Sequence, residues 1–131
     1  MTDKTPNIGV VGVGHLGRHH VKHLSNNNDA LLAGIYDVDY KRVQDIAAEF
    51  NCRVFNSLNN LLDECDALAI VTPTSSHAEV AAKCIKARKH VFIEKPITKT
   101  VAEADHLLKL AKKNNVFIQV GHIEQIGRAH V

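Results

Sequence analysis

Lys95 stands in the segment Glu94-Lys95-Pro96, directly after the apolar run His90-Val91-Phe92-Ile93. Far upstream, the glycine-rich segment Gly12-Val13-Gly14-His15-Leu16-Gly17 succeeds a second apolar run, Ile8-Gly9-Val10-Val11. A lysine at the carboxyl end of a buried strand is poorly solvated, a setting that suits an amine to taking up and returning a proton. The three glycines have the spacing that cradles a dinucleotide pyrophosphate where a strand turns into a helix. Gly12 permits the tight turn, Gly14 lets the backbone approach the phosphates, and Gly17 lets the helix pack closely on the strands, with His15 and Leu16 between them as further cofactor-contacting positions. A turn that binds no nucleotide is the plainer reading, and the strand-to-helix context argues against it.

About twenty residues after Gly17, Asp37 ends another apolar run, where an acidic side chain can accept hydrogen bonds from both adenosine-ribose hydroxyls. A 2′-phosphate there would be repelled, so NAD is expected over NADP, although Lys41 and Arg42 are near enough in sequence to leave dual use open. The stretch Val71-Thr72-Pro73-Thr74-Ser75-Ser76-His77 leaves a further strand, which puts Thr72 and Pro73 beside the cofactor. His77 either bonds ribose or phosphate or packs as a first-turn helical histidine. His15, His19 and His23 recur at helical spacing, but no cysteine or carboxylate cluster accompanies them, and a solvated helix face is expected rather than a metal site. His122 comes just after the last strand-like run and is a candidate substrate contact.

Alternating strands and helices must carry these residues. Strand-like runs are Ile8-Val11, Leu31-Tyr36, a short Arg53-Val54-Phe55, Ala67-Val71, Val91-Ile93 and Val116-Val120. Val43, Ile46, Ala47 and Phe50 fall at i, i+3, i+4, i+7, as do Ala104, Leu107, Leu108 and Ala111, so both stretches predict helices lying on a sheet. Gly17, Val21 and Leu24 share the packing face of the helix after the glycine turn. Thr100 with Glu103 and Ser76 with Glu79 fit the capping box, and Asp39 fits an N-cap before Tyr40. This order predicts an α/β chain, a doubly wound parallel sheet of the Rossmann type.

The length, 131 residues, fits one domain. Acidic and basic residues are spread throughout at a formal charge of +2, so no basic stripe argues for nucleic acid and no polybasic run for a membrane surface. Cys52, Cys65 and Cys84 are odd in number and far apart, which fits reduced thiols and a cytoplasmic protein. The amino-terminal residues contain no apolar signal core, and no run approaches membrane-spanning length.

Gly12/Gly14/Gly17, Asp37, Thr72-Pro73 with His77, Glu94-Lys95-Pro96 and Val120-Gly121-His122-Ile123-Glu124 together resemble the glucose-fructose oxidoreductase and inositol dehydrogenase family, written Gfo/Idh/MocA. The resemblance implies that Lys95 sits beside the nicotinamide and the substrate hydroxyl and takes part in proton transfer, with Glu94 at the nicotinamide-ribose side. It implies an NAD-dependent dehydrogenase of a sugar or nucleotide sugar. The ending Gly-His-Ile-Glu is similar to a subgroup that continues Arg-Phe-Asn-Pro and includes UDP-N-acetylglucosamine 3-dehydrogenases. This chain departs at Gln125-Ile126-Gly127-Arg128-Ala129-His130-Val131, which the codons CAG ATC GGA AGA GCA CAC GTC encode. All but the first base matches a common sequencing adapter, so residues 125–131 are read as a non-native tail after an NAD(P)-binding domain of residues 1–124. On this reading the second, α/β substrate domain is missing, and with it further substrate contacts, another acid-base residue and the interface of a homo-oligomer. The fragment is then expected to bind NAD with little or no turnover. A non-catalytic NAD-binding sensor or interaction module is the alternative, and the Lys95 segment discriminates against it.

Overall fold

The computed structural model describes residues 5–95 and 97–121. The strands are β1 (Asn7–Val11), β2 (Leu31–Tyr36), β3 (Ala67–Ile70), β4 (His90–Ile93) and β5 (Ile118–Val120). The helices are α1 (His15–Ser25), α2 (Tyr40–Phe50), α3 (Leu58–Asp63), α4 (Thr74–Lys86) and α5 (Val101–Asn114). All paired strands are parallel, in the order β2-β1-β3-β4-β5. The chain runs outward from β1 to β2 and then crosses back to β3 on the other side of β1. The carboxyl ends of β1 and β3 therefore flank the point where the winding reverses, the position at which open α/β sheets bind ligands.

Near-continuous apolar strands are what burial on both faces requires, and alternate residues feed two cores. Val11, Leu68, Ile70, Val91 and Ile93 pack with Leu61, Cys84, Ile85 and Leu107 under α3, α4 and α5. Ile8, Val10, Ala69 and Phe92 pack with Val21, Leu24, Val43 and Ile46 under α1 and α2. The doubly wound sheet predicted from the alternation is the one observed. Gly17, Val21 and Leu24 are buried together on α1 as expected, and His20 is buried with them. Asp39 and Thr100 cap α2 and α5, accepting from the amides of Arg42 and Glu103. No helix among the described residues is long and apolar enough to cross a membrane.

Four expectations need correction. Arg53-Val54-Phe55 is not a strand but a single parallel bridge between Val54 and Ile35. It is confined between Asn51, the left-handed cap of α2, and Ser57, the N-cap of α3, which leaves room for little pairing. The last strand begins at Ile118 rather than Val116. Ser76 does not cap α4, because the helix already starts at Thr74 with Pro73 as N-cap, and the Ser76 hydroxyl donates to the Pro73 carbonyl. Leu108 points outward, since the seam of α5 runs through Leu107 and Ala111. His122 and residues 125–131 lie outside the described residues.

Candidate functional site

A groove of about 690 Å³ opens at the carboxyl ends of β1, β2 and β3, within the range of small-molecule sites. Eight of the positions read from sequence line it: Gly12, Gly14, His15, Leu16, Gly17, Asp37, Thr72 and Pro73. The glycines act differently there. Gly12 has φ +99°, and a Cβ on it would lie 2.8 Å from the backbone of Val71 and Thr72. A Cβ on Gly17 would lie 1.9 Å from the Gly12 carbonyl oxygen. At Gly14, by contrast, a Cβ meets only the Arg42 guanidinium, at 3.6 Å, so the space in front of this residue belongs to no part of the packed fold.

The helix starts point the same way. α2, α3 and α5 each have an amide satisfied by the side chain of Asp39, Ser57 or Thr100. α1 and α4 have no side-chain cap, and their N-cap residues, Gly14 and Pro73, both line the groove. Exposed first-turn amides and the positive end of the helix dipole make a site for an anion. The Thr72 hydroxyl is also buried without a hydrogen-bond partner among the described residues. A glycine cradle, uncapped amides and an unpaired hydroxyl form a donor set that fits a dinucleotide.

Asp37 has a structural task that sequence did not reveal. One carboxylate oxygen accepts from the Val13 amide at 2.8 Å and the other from the Asp39 amide at 2.9 Å, which ties the glycine turn to the end of β2. Each oxygen has a second acceptor site for a ribose hydroxyl. Arg42 lines the groove too and pairs with Asp39 at 3.8 Å. Leu58, Val38, Val71 and Val80 supply an apolar stretch of wall. Leu58 and Val80 were missed because only the tertiary fold brings α3 and α4 opposite β2.

His77 does not line this groove. It is buried, with Nε2 2.8 Å from the Thr72 carbonyl and Nδ1 3.1 Å from the Ile97 carbonyl, and so ties the loop after β3 to the segment after Lys95. Glu94 succeeds β4 on the same edge, and its carboxylate lies 2.7 Å from Nε2 of His20. Lys95 is exposed, which corrects the expected desolvation: no described element covers it. His15 and His19 are exposed and His23 is half-buried near Asn27. Cys65 and Cys84 are free and buried, and burial pushes both thiols up to about 12, so neither has the character of a nucleophile.

The profile of the Gfo/Idh/MocA oxidoreductase family, NAD-binding Rossmann fold, matches residues 6–122. The chain belongs to this family. The Gfo/Idh/MocA domain is 43% identical over 118 residues to UDP-N-acetylglucosamine 3-dehydrogenase of Acidithiobacillus ferrooxidans, covering 90% of the chain and 37% of that relative. Against a solved structure of that enzyme the TM-score is 0.85 at 42% identity, with 92% of this chain and 39% of the other covered. Myo-inositol 2-dehydrogenase of Thermotoga maritima is 31% identical over 124 residues, 92% of this chain and 37% of that relative. GenD2 from gentamicin A biosynthesis, solved in complex with NAD, superposes with a TM-score of 0.84 at 28% identity over 90% of this chain and 34% of that one. The chain thus spans less than two fifths of the length of these curated relatives.

Proposed function

We propose that this Gfo/Idh/MocA domain holds NAD for the oxidation of a secondary hydroxyl of a sugar or nucleotide sugar. The observation that carries the reading is the convergence on one groove of the glycine turn, two helix starts without side-chain caps, and Asp37. The amides at Gly14 and the start of α1 would hold the pyrophosphate, and Asp37 the adenosine ribose. Bound NAD supplies the hydride acceptor. Lys95 takes the proton of the substrate hydroxyl as the carbinol hydrogen leaves as hydride, so one proton and one hydride depart and a ketone remains. Glu94 stands at the nicotinamide-ribose side, and His122 contacts substrate. The likeness to UDP-N-acetylglucosamine 3-dehydrogenase and myo-inositol 2-dehydrogenase supports the substrate class.

Asp37 and Asp39 face the end of the groove where a 2′-phosphate would lie, and this favours NAD over NADP. Arg42 lies 3.8 Å from Asp39, an exposed and therefore weak pair. Calorimetric titration with both dinucleotides tests the reading. Tighter NAD binding is expected, and equal or tighter NADP binding would refute the assignment of Asp37. A version spanning the relatives' full length that binds NAD and oxidises no sugar or nucleotide sugar would favour the non-catalytic module.

A further inference from the structure

His20 is a polar residue on the inward face of the helix that begins at the glycine turn, between Gly17 and Leu24. It is 2% exposed, in a layer otherwise built from Val13, Val21, Leu24 and Phe92. A polar ring is costly there unless it is bonded. Its Nε2 lies 2.7 Å from the Glu94 carboxylate, whose own side chain is only 14% exposed. Both sides of this contact are set by simple geometry. α1 covers the sheet face to which Phe92 points, and Glu94, two residues on, continues to that face, whereas Ile93 points to the opposite core. The contact is one of ion-pair distance, without the alignment of a hydrogen bond.

We propose that His20 is a positioning residue for the nicotinamide half of the cofactor: through its 2.7 Å contact with Glu94 it fixes the carboxylate, and the turn into Lys95, relative to the helix that holds the pyrophosphate. The inference rests on the reading of the groove as an NAD site. The long side chain of Glu94 has three torsions beyond the strand end, and a buried, fixed partner removes much of that freedom before the ligand arrives. Because His20 belongs to α1, the two ends of the dinucleotide site share one rigid element. A histidine that merely filled space would affect folding and not discriminate between the two halves of the ligand.

The test compares affinities for NAD and for ADP, which lacks the nicotinamide and its ribose, by calorimetry on the chain as it stands. His20→Leu should weaken NAD about tenfold, the scale of one misplaced contact between the Glu94 carboxylate and a ligand hydroxyl, and leave ADP unchanged. His20→Gln, whose amide nitrogen reaches about as far as Nε2, should restore the NAD-to-ADP ratio, whereas the shorter His20→Asn should not. Glu94→Ala should lower the ratio as His20→Leu does, and the double variant should lower it no further, since both remove one interaction. An unchanged ratio in His20→Leu, or in His20→Asn should the leucine variant not fold, overturns the proposal. Equal losses for NAD and ADP, or additive losses in the double variant, also overturn it. If the parent chain binds neither ligand, the NAD reading itself fails and this inference falls with it. Retained ADP and NAD binding with an unmoved ratio would refute the role of His20 alone.

Discussion

A side chain placed at Gly14 and one placed at Gly17 should have opposite consequences although the residues are three apart on the same turn. The Gly14 position has an extended backbone at φ −66° and ψ −161°, which valine adopts readily. Its Cβ would meet only the Arg42 guanidinium at 3.6 Å, an ordinary contact with the mobile end of a long side chain. Gly14→Val should therefore fold with stability within about 0.5 kcal/mol of the parent, as surface substitutions usually do. Its branched side chain would stand where the pyrophosphate must approach the backbone. Losing two charge-assisted hydrogen bonds of about 1.5 kcal/mol each weakens NAD by more than about 100-fold. At Gly17 the added methyl carbon lies 1.9 Å from the Gly12 carbonyl oxygen, against the 3.4 Å at which ordinary contact begins, so helix and turn must separate by about 1.5 Å. Overpacking of that kind costs about 1–3 kcal/mol or more, a large part of the ~5–15 kcal/mol that holds a domain folded. Urea denaturation of both variants, with calorimetry on NAD afterwards, separates the two effects. Normal NAD affinity in folded Gly14→Val would show that the cofactor lies elsewhere, and parental stability in Gly17→Ala would refute the close packing of α1 on the turn.

Asp37→Ala should weaken NAD and narrow its advantage over NADP. It should also lower thermal stability, because the Val13 and Asp39 amides lose their shared acceptor; calorimetry and a melting curve read the two effects, and an unchanged NAD-to-NADP ratio would count against the assignment. In a version spanning the relatives' full length, Lys95→Ala should cut kcat by about 10²–10⁴-fold with NAD affinity nearly unchanged, and Lys95→Arg should restore little because guanidinium keeps its proton; near-normal turnover in Lys95→Ala removes the lysine from the reaction. The Cys84 thiol, raised by burial from 9.0 to about 12, is neutral in the folded chain while the unfolded chain ionises. The unfolded state then binds fewer protons, so stability should fall as pH rises between those two values, by about 1.4 kcal/mol per pH unit for each such thiol, and Cys65 is raised likewise. Cys84→Ala should lessen that slope in a denaturation-versus-pH profile and leave the part that Cys65 contributes, and an unaltered slope would contradict the burial of the Cys84 thiol.

The elements were legible because β1, β2, β3 and β4 are apolar runs bounded by turns, and because the glycine turn commits the chain to a helix directly after β1. Pairing is where sequence reasoning failed: Val54 meets Ile35 at one position only, and nothing local in Arg53-Val54-Phe55 says that the ladder stops there. The groove was legible through Gly12, Gly14, Gly17, Asp37, Thr72 and Pro73, residues whose chemistry depends on backbone geometry that the sequence itself dictates. For His77 the sequence offered a ligand contact or a first-turn histidine packing on the loop, and the second is seen in its Thr72 partner, whereas its other partner, Ile97, lies twenty residues further along the chain and was not legible. His20 shows most clearly why. The i, i+4 recurrence of His15, His19 and His23 draws attention to the outer face of α1, whereas His20 sits one residue off that stripe, on the face shared by Gly17 and Leu24. Its position there and the parity that turns Glu94 toward α1 are both periodic facts of the chain. Their meeting is not, because it requires knowing that β4 ends on the sheet face that α1 covers, close enough for the two side chains to touch. The sheet order puts β4 two strands from β1, so the helix that follows the glycine turn can reach Glu94 with the side chain of His20, a contact that neither motif implies separately.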